Sequence, residues 1–427
     1  MDQGGGAAQL AFNLFEGCLA AGHQAWLAVG RKARDDARIY AIPNDAYRHH
    51  WARFCQRTIR PAAGNRLARL CGRPWSSARV LLGHEDFDFP GTWHLLADAP
   101  EKPDLIHLHN LHGSFFDLRA LPWLSRQVPT VVNLHDAWMV SGHCSHGFAC
   151  DRWRIGCGAC PDLSIYPPVP RDATAFNWRR KQKIYAQSRL HVVAPARWLM
   201  QKARDSMLAP AIVSSRIIHH GIDLSVFRPG DRTQARLELG LPQDATILLF
   251  AAQGIRNNPA KDYLVMRGAF ERLSARAGTQ KLLFIALGET APSERIGASE
   301  LWFFPHSSNR RTVANFYLAA DIYVHGAKAE AWGLSITEAM ACGLPVVASD
   351  VGGIPDQVVE GQSGFLVPVG DAGCMAGRME LLVHHRSRRE DMGRWACSRA
   401  HAEFGVSRMT ANYLNFYESV LARSNPN

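Results

Sequence analysis

The stretch Glu330-Ala331-Trp332-Gly333-Leu334-Ser335-Ile336-Thr337-Glu338-Ala339-Met340-Ala341-Cys342-Gly343-Leu344-Pro345-Val346-Val347-Ala348-Ser349 decides how this chain is read. Its middle is a helical pattern stopped by Gly343, and its end is a short apolar run of the kind found in strands covered on both faces. Residues 321–325, just upstream, read as another strand. Glu330 therefore falls in a loop at the carboxyl edge of a sheet, where open α/β sheets bind ligands. The backbone N–H groups of Gly333, Leu334 and Ser335 open the helix and can hold a phosphate. Glu338, about one turn further in, is placed to accept hydrogen bonds from sugar hydroxyls. Two glutamates alone read equally well as solvated or capping side chains, so the surroundings have to decide.

Outward from this stretch, short apolar runs alternate with longer helical patterns, which indicates parallel sheets with crossover helices. The strand candidates are residues 25–29, 79–82, 105–108, 130–134, 190–194 and 216–219, then 246–251, 281–287, 301–304, 321–325, 345–349 and 364–367. The expected architecture is α/β, two doubly wound Rossmann-like domains facing across a cleft. Residues 1–220 form the first domain and 232–403 the second; the polar stretch 221–232, with Pro229-Gly230, joins them. A chain of 427 residues, 47% hydrophobic and 20% charged, can bury two such cores and is neither disordered nor fibrous. Gly4-Gly5-Gly6 opens a helical pattern the way a glycine turn follows a first, central strand. Only Met1-Asp2-Gln3 precede it, so that strand is expected to be missing, with a start set too far downstream as the favoured reason.

No apolar run approaches the roughly 18–20 residues of a membrane-spanning helix. The opening residues carry no basic and apolar leader, and ten cysteines are too few for a disulfide scaffold, so a reducing cytosol is expected. Net charge is +10, and its distribution is uneven. Residues 1–220 hold 27 Lys+Arg against 17 Asp+Glu, whereas residues 221–427 hold 21 of each.

Further motifs follow in order: His220-Gly221-Ile222-Asp223 with Phe227-Arg228-Pro229, and Gly352-Gly353-Ile354-Pro355-Asp356 running on to Gly364-Phe365-Leu366-Val367. With the Glu-x7-Glu element, the chain from Gly4 onward resembles the GT-B glycosyltransferases of family 4, the retaining group that uses nucleotide-activated sugars. The resemblance implies that Glu330 contacts donor-sugar hydroxyls and that Glu338 binds the nucleotide ribose. Arg256 and Lys261, after the strand 246–251, match the diphosphate-binding pair; two cations there suit a leaving group whose charge grows in the transition state. Asp262 departs from the glycine usual after that lysine and puts the local phosphate geometry in question. His135, at the end of the strand 130–134, matches the histidine that holds the donor sugar, with Asp136 orienting its ring or capping a turn. Gly5 and Gly6 match the loop passing beneath donor and acceptor. Transfer is expected on one face, the leaving phosphate helping to deprotonate the acceptor, with no cofactor required for catalysis. Residues 404–427, with Tyr413, Phe416 and Tyr417, are expected to form a helix packing back on the first domain. A carbohydrate-binding relative without turnover, or a complex subunit, is the alternative.

Cys144, Cys150, Cys157 and Cys160 lie within residues 143–161. The closing CxxC suits half of a structural zinc site; buried thiols and disulfides are the other readings. With His135-Asp136-Ala137-Trp138 and Trp153, this insertion is similar to family 4 enzymes of colanic-acid and other exopolysaccharide synthesis. Between Ala46 and His84 there is no Asp or Glu, yet eight arginines are present, from Arg48 to Arg79, interleaved with Trp51, Phe54, Ile59, Leu67, Leu70 and Trp75. This composition suits a basic amphipathic helix on an anionic membrane surface, at the inner face of the cytoplasmic membrane, where a lipid-linked or oligosaccharide acceptor would be met. A solvated arginine-rich helix pair is the plain reading; no motif supports nucleic acid.

Overall fold

The computed structural model of the protein describes residues 5–424. The backbone divides into two compact units, Met1–Ile218 with Thr410–Asn427, and His219–Met409.

In the first unit, β1 (Leu27–Val29) and β2 (Ile39–Ala41) form a parallel pair. A separate sheet runs β3 (Ile106–His109), β4 (Thr130–Asn133), β5 (Leu190–Ala194) and β6 (Ile212–Ile217), all parallel. Every residue of β4 and β5 is buried, as expected for strands covered by helices on both faces. Residues 79–82, expected as a strand, are instead the end of the helix Pro74–Leu81. Pro74 stands in its first turn, where a missing N–H costs nothing, and Leu81 and Leu82 stay exposed. The helix Val406–Ser424 brings Tyr413 and Tyr417 to this unit. The Tyr413 hydroxyl donates to Asn133 Oδ1 at 3.0 Å, and that of Tyr417 lies 2.6 Å from His107 Nδ1. The segment 1–3, where a preceding strand was sought, and Gly4 lie outside the described residues.

The second unit has seven strands: β7 (Thr246–Ala251), β8 (Leu282–Leu287), β9 (Glu294–Ile296), β10 (Ser299–Phe304), β11 (Ile322–His325), β12 (Val346–Ser349) and β13 (Gly364–Val367). Their order is β13-β12-β11-β7-β8-β10-β9, parallel apart from β9 on β10. β8 lies on one side of β7 and β11 on the other, so the carboxyl ends of β7 and β11 form the topological switch point. Residues 221–232 are not a loose tether. Ile222 bridges Gly405, and Phe227 is buried against Tyr317.

Candidate functional site

Two loops leave the sheet at the switch point: one after β7 carrying Arg256 and Lys261, one after β11 carrying Glu330. They are laced together by backbone. Lys261 bridges Ala327, the Lys328 N–H donates to the Ala260 carbonyl at 2.8 Å, and the Asp262 N–H donates to the Gly326 carbonyl at 3.0 Å. The loop after β12 grips Glu330 from the other side: the Gly353 N–H donates to the Glu330 carbonyl at 3.0 Å. Gly352 has φ +60°, and a Cβ there would lie 1.9 Å from that same carbonyl oxygen. Only glycine fits this position.

The side chains converge inside these loops. Lys261 Nζ donates to Glu330 Oε2. His325, the last residue of β11, places Nε2 3.2 Å from both Lys261 Nζ and Glu330 Oε2. Burial, with the Lys261 ammonium beside it, pushes His325 down to about 4, so its ring is neutral at pH 7. Burial would raise the Glu330 carboxyl, but Lys261 and His325 outweigh it and hold the group well below its usual range. The expected pair Lys261 and Glu330 is therefore brought together, and His325 joins it unannounced. Its signal in the sequence was a strand-terminal histidine five positions before the loop glutamate.

Arg256 does not join this cluster. It pairs with Glu294 at 3.2 Å and lies over Phe303 and Tyr263. Asp262 is buried, with Lys328 Nζ 3.8 Å away, so its carboxylate is matched by a cation from the facing loop.

Gly333 caps the helix Leu334–Ala341, and no side chain caps that end. The Gly333 N–H, however, is already committed: it donates to Gln357 Oε1 at 3.2 Å, while Gln357 Nε2 donates to the Gly333 carbonyl at 2.8 Å. This corrects the expectation of three phosphate-binding N–H groups, leaving those of Leu334 and Ser335. Glu338 accepts from the Tyr317 hydroxyl at 3.0 Å, and burial pushes its carboxyl up to about 7.

In the first unit, His135 Nε2 lies 3.0 Å from both His109 Nδ1 and Asn133 Nδ2. Burial pushes His109 down to about 4, so its imidazole is neutral at pH 7. Asp136 accepts the Trp138 N–H at 2.9 Å, capping a turn, and pairs with His112 at 3.0 Å. Gly5, at φ +75°, caps the helix that begins at Gly6, and no side chain closes that end.

Cys144, Cys150, Cys157 and Cys160 are free thiols, and burial raises Cys144, Cys157 and Cys160. Among the described residues no group of three or more His, Cys, Asp or Glu is arranged to hold a metal ion. Cys160 Sγ lies 3.4 Å from His143 Nε2.

The basic segment is helical but broken. The helix His50–Gly72 contains Pro61 and is kinked at Gly64, and the helix Pro74–Leu81 follows. Its arginines do not share one free face: Arg48 and Arg73 are turned to Asp88, and Arg69 and Arg73 to Asp86. Trp51, Phe54, Leu67, Leu70 and Trp75 remain exposed. Among the described residues no helix is long and apolar enough to cross a membrane.

Residues 4–226 match the family described as Glycosyltransferase Family 4, and residues 231–398 match Glycosyl transferases group 1. D-inositol 3-phosphate glycosyltransferase 1 of Catenulispora acidiphila is 36% identical over 336 residues, covering 76% of this chain and 74% of that protein. The chain spans about half the length of other curated relatives it matches. Among solved structures, sucrose-phosphate synthase of Thermosynechococcus elongatus superposes with a TM-score of 0.64 at 18% identity, covering 98% of this chain and 94% of that one. Anabaena HepE in complex with UDP-glucose does so with a TM-score of 0.55 at 18% identity, covering 78% and 82%. These likenesses establish the GT-B fold for the two parallel-sheet units, and the chain belongs to glycosyltransferase family 4.

Proposed function

We propose that this glycosyltransferase moves a sugar, with retention, from a nucleotide-sugar donor to a growing polysaccharide or glycolipid acceptor carried on lipid, as in exopolysaccharide synthesis. The observation that carries the reading is the Lys261–Glu330–His325 cluster at the switch point of the second sheet. Lys261 supplies charge to the donor diphosphate, together with the N–H groups of Leu334 and Ser335. Glu330, held as a carboxylate, accepts from donor-sugar hydroxyls, and Glu338 from the ribose. Arg256 reaches the diphosphate by leaving Glu294. That exposed pair is worth only about 0–1 kcal/mol, so the swing is cheap. His135 and the turn at Gly5 and Gly6 serve the sugar and acceptor from the first unit. The leaving phosphate takes part in deprotonating the acceptor on the same face. The UDP-glucose bound by HepE and the inositol phosphate named for the curated relative set the first compounds to try.

Release of nucleoside diphosphate from a panel of nucleotide sugars, with lipid-linked acceptors and inositol 3-phosphate, tests the proposal. Glu330→Ala and Lys261→Ala should each lower turnover by about a hundredfold or more in a chain that still folds. Full turnover in either variant would remove these roles, and no turnover with any donor would favour a carbohydrate-binding relative.

A further inference from the structure

We propose that the first unit holds a second anion site, built for a phosphate-bearing ligand and separate from the donor loops. A cavity of about 530 Å³ opens beside the helix Thr174–Tyr185, walled by Arg79, His84, Arg119, Phe176, Arg180 and Lys183. Among the described residues no carboxylate lines it. An adjoining cavity of about 400 Å³ shares Arg79, Arg119 and Arg180, extends to Trp75 and is also lined by Glu85, Asp86 and Asp88, of which Asp86 and Asp88 are paired with Arg48, Arg69 and Arg73.

The charges in this cavity do not cancel. Arg119 is neutralised by Asp117, at 2.9 and 2.7 Å. Arg180 donates to the Glu85 carbonyl at 3.1 Å and lies over the face of Phe87. The Glu85 carboxylate is committed elsewhere, to Lys181 at 2.9 Å and Trp138 Nε1 at 2.6 Å. Arg79 and Lys183 enter no ion pair among the described residues. Burial presses Arg180 down to about 10, the nearby Glu85 and Asp117 carboxylates offsetting only part of it while Arg119 and Arg79 add to it.

Two guanidinium forks and an ammonium facing one concavity suit the several oxygens of a phosphate ester or diphosphate better than a single carboxylate. The volume admits more than one phosphate group, and the stacked His84–Phe176 pair, 4.1 Å apart, offers a flat wall for what the phosphate is attached to. The same phosphate chemistry is presented by a lipid-linked diphosphate and by a soluble phosphate ester. Trp75, Leu81 and Leu82, exposed on or just after the helix Pro74–Leu81, give a lipid chain somewhere to lie.

Isothermal titration of the full chain carrying Lys261→Ala and Arg256→Ala, which silence the donor loops, would measure inorganic pyrophosphate and farnesyl diphosphate. Both should bind, and adding Arg79→Glu with Lys183→Glu should weaken each by about tenfold or more. Farnesyl diphosphate binding about tenfold tighter than pyrophosphate would assign a lipid-linked ligand; equal affinities would assign a soluble one. Arg180→Lys, which keeps the charge and loses the fork, serves if the double reversal lowers the melting temperature, and it should weaken binding as well. No binding of either probe, or unchanged affinity in a folded charge-reversed variant, would overturn the proposal. Because no turnover is measured, its failure leaves the glycosyl-transfer reading untouched.

Discussion

Glu330 and Glu338 flank one helix start, yet their carboxyls move in opposite directions because their neighbours differ. Glu330 has an ammonium against it, whereas Glu338 has a tyrosine hydroxyl and burial. For Glu338 the ordinary value is 4.5 and the folded value about 7. Between these, the native state keeps a proton that the unfolded chain has lost, so stability falls as pH rises through that window. Glu330 acts with the other sign, contributing stability above its ordinary pKa that is lost as pH falls through its lowered folded value. Glu338→Gln keeps an acceptor for Tyr317 and removes the titration. It should therefore be more stable than the parent by about 1–3 kcal/mol at pH 8, and by little at pH 4. Urea unfolding at the two pH values checks this; an equal difference at both would show that Glu338 does not titrate there.

At the scale of elements, the loop after β12 works as a clamp on Glu330. Gly352→Ala forces a Cβ into the Glu330 carbonyl at a left-handed φ. The strain should cost about 1–3 kcal/mol, and turnover should drop further than that loss explains, since the carboxylate moves with its backbone. Thermal melts alongside initial rates separate the two effects. How much of this was legible in the sequence depends on how local the cause is. Thr246–Ala251, Leu190–Ala194 and Gly364–Val367 were read to the residue, because continuous apolar runs bounded by polar turns leave little choice. Residues 79–82 misled because their apolar run ends the helix started by Pro74 and joins no sheet. The strands Ile39–Ala41 and Glu294–Ile296 are three residues each and escaped notice. Glu330 and Lys261 were found by motif. The capture of Gly333 by Gln357, and of Arg256 by Glu294, joins residues 24 and 38 positions apart, which no local pattern encodes.

For the whole molecule, the +10 charge belongs to the first 220 residues, but not all of it faces outward. Arg48 and Arg73 are spent on Asp86 and Asp88, so the surface charge of the basic segment is smaller than its composition suggests. Its exposed Trp51, Phe54 and Trp75 then carry more of any attachment to an anionic membrane. The protein should co-sediment with phosphatidylglycerol vesicles at low salt, and less so as salt screens the arginines. Trp51→Ala with Trp75→Ala should reduce the bound fraction several-fold at fixed salt; equal sedimentation would remove these residues from the attachment.

The tyrosines of the last helix carry a consequence for biosynthesis. Tyr417 meets His107 across 310 positions, and Tyr413 meets Asn133 across 280. At about 5–20 residues per second, a ribosome takes roughly 15–60 s to make that intervening chain. For that interval His107 and Asn133 of the first unit wait without their tyrosine hydroxyl partners while the second unit is made. The unit translated first is thus the one completed last, and a chain stalled late in synthesis would hold a finished second unit and an unfinished first one.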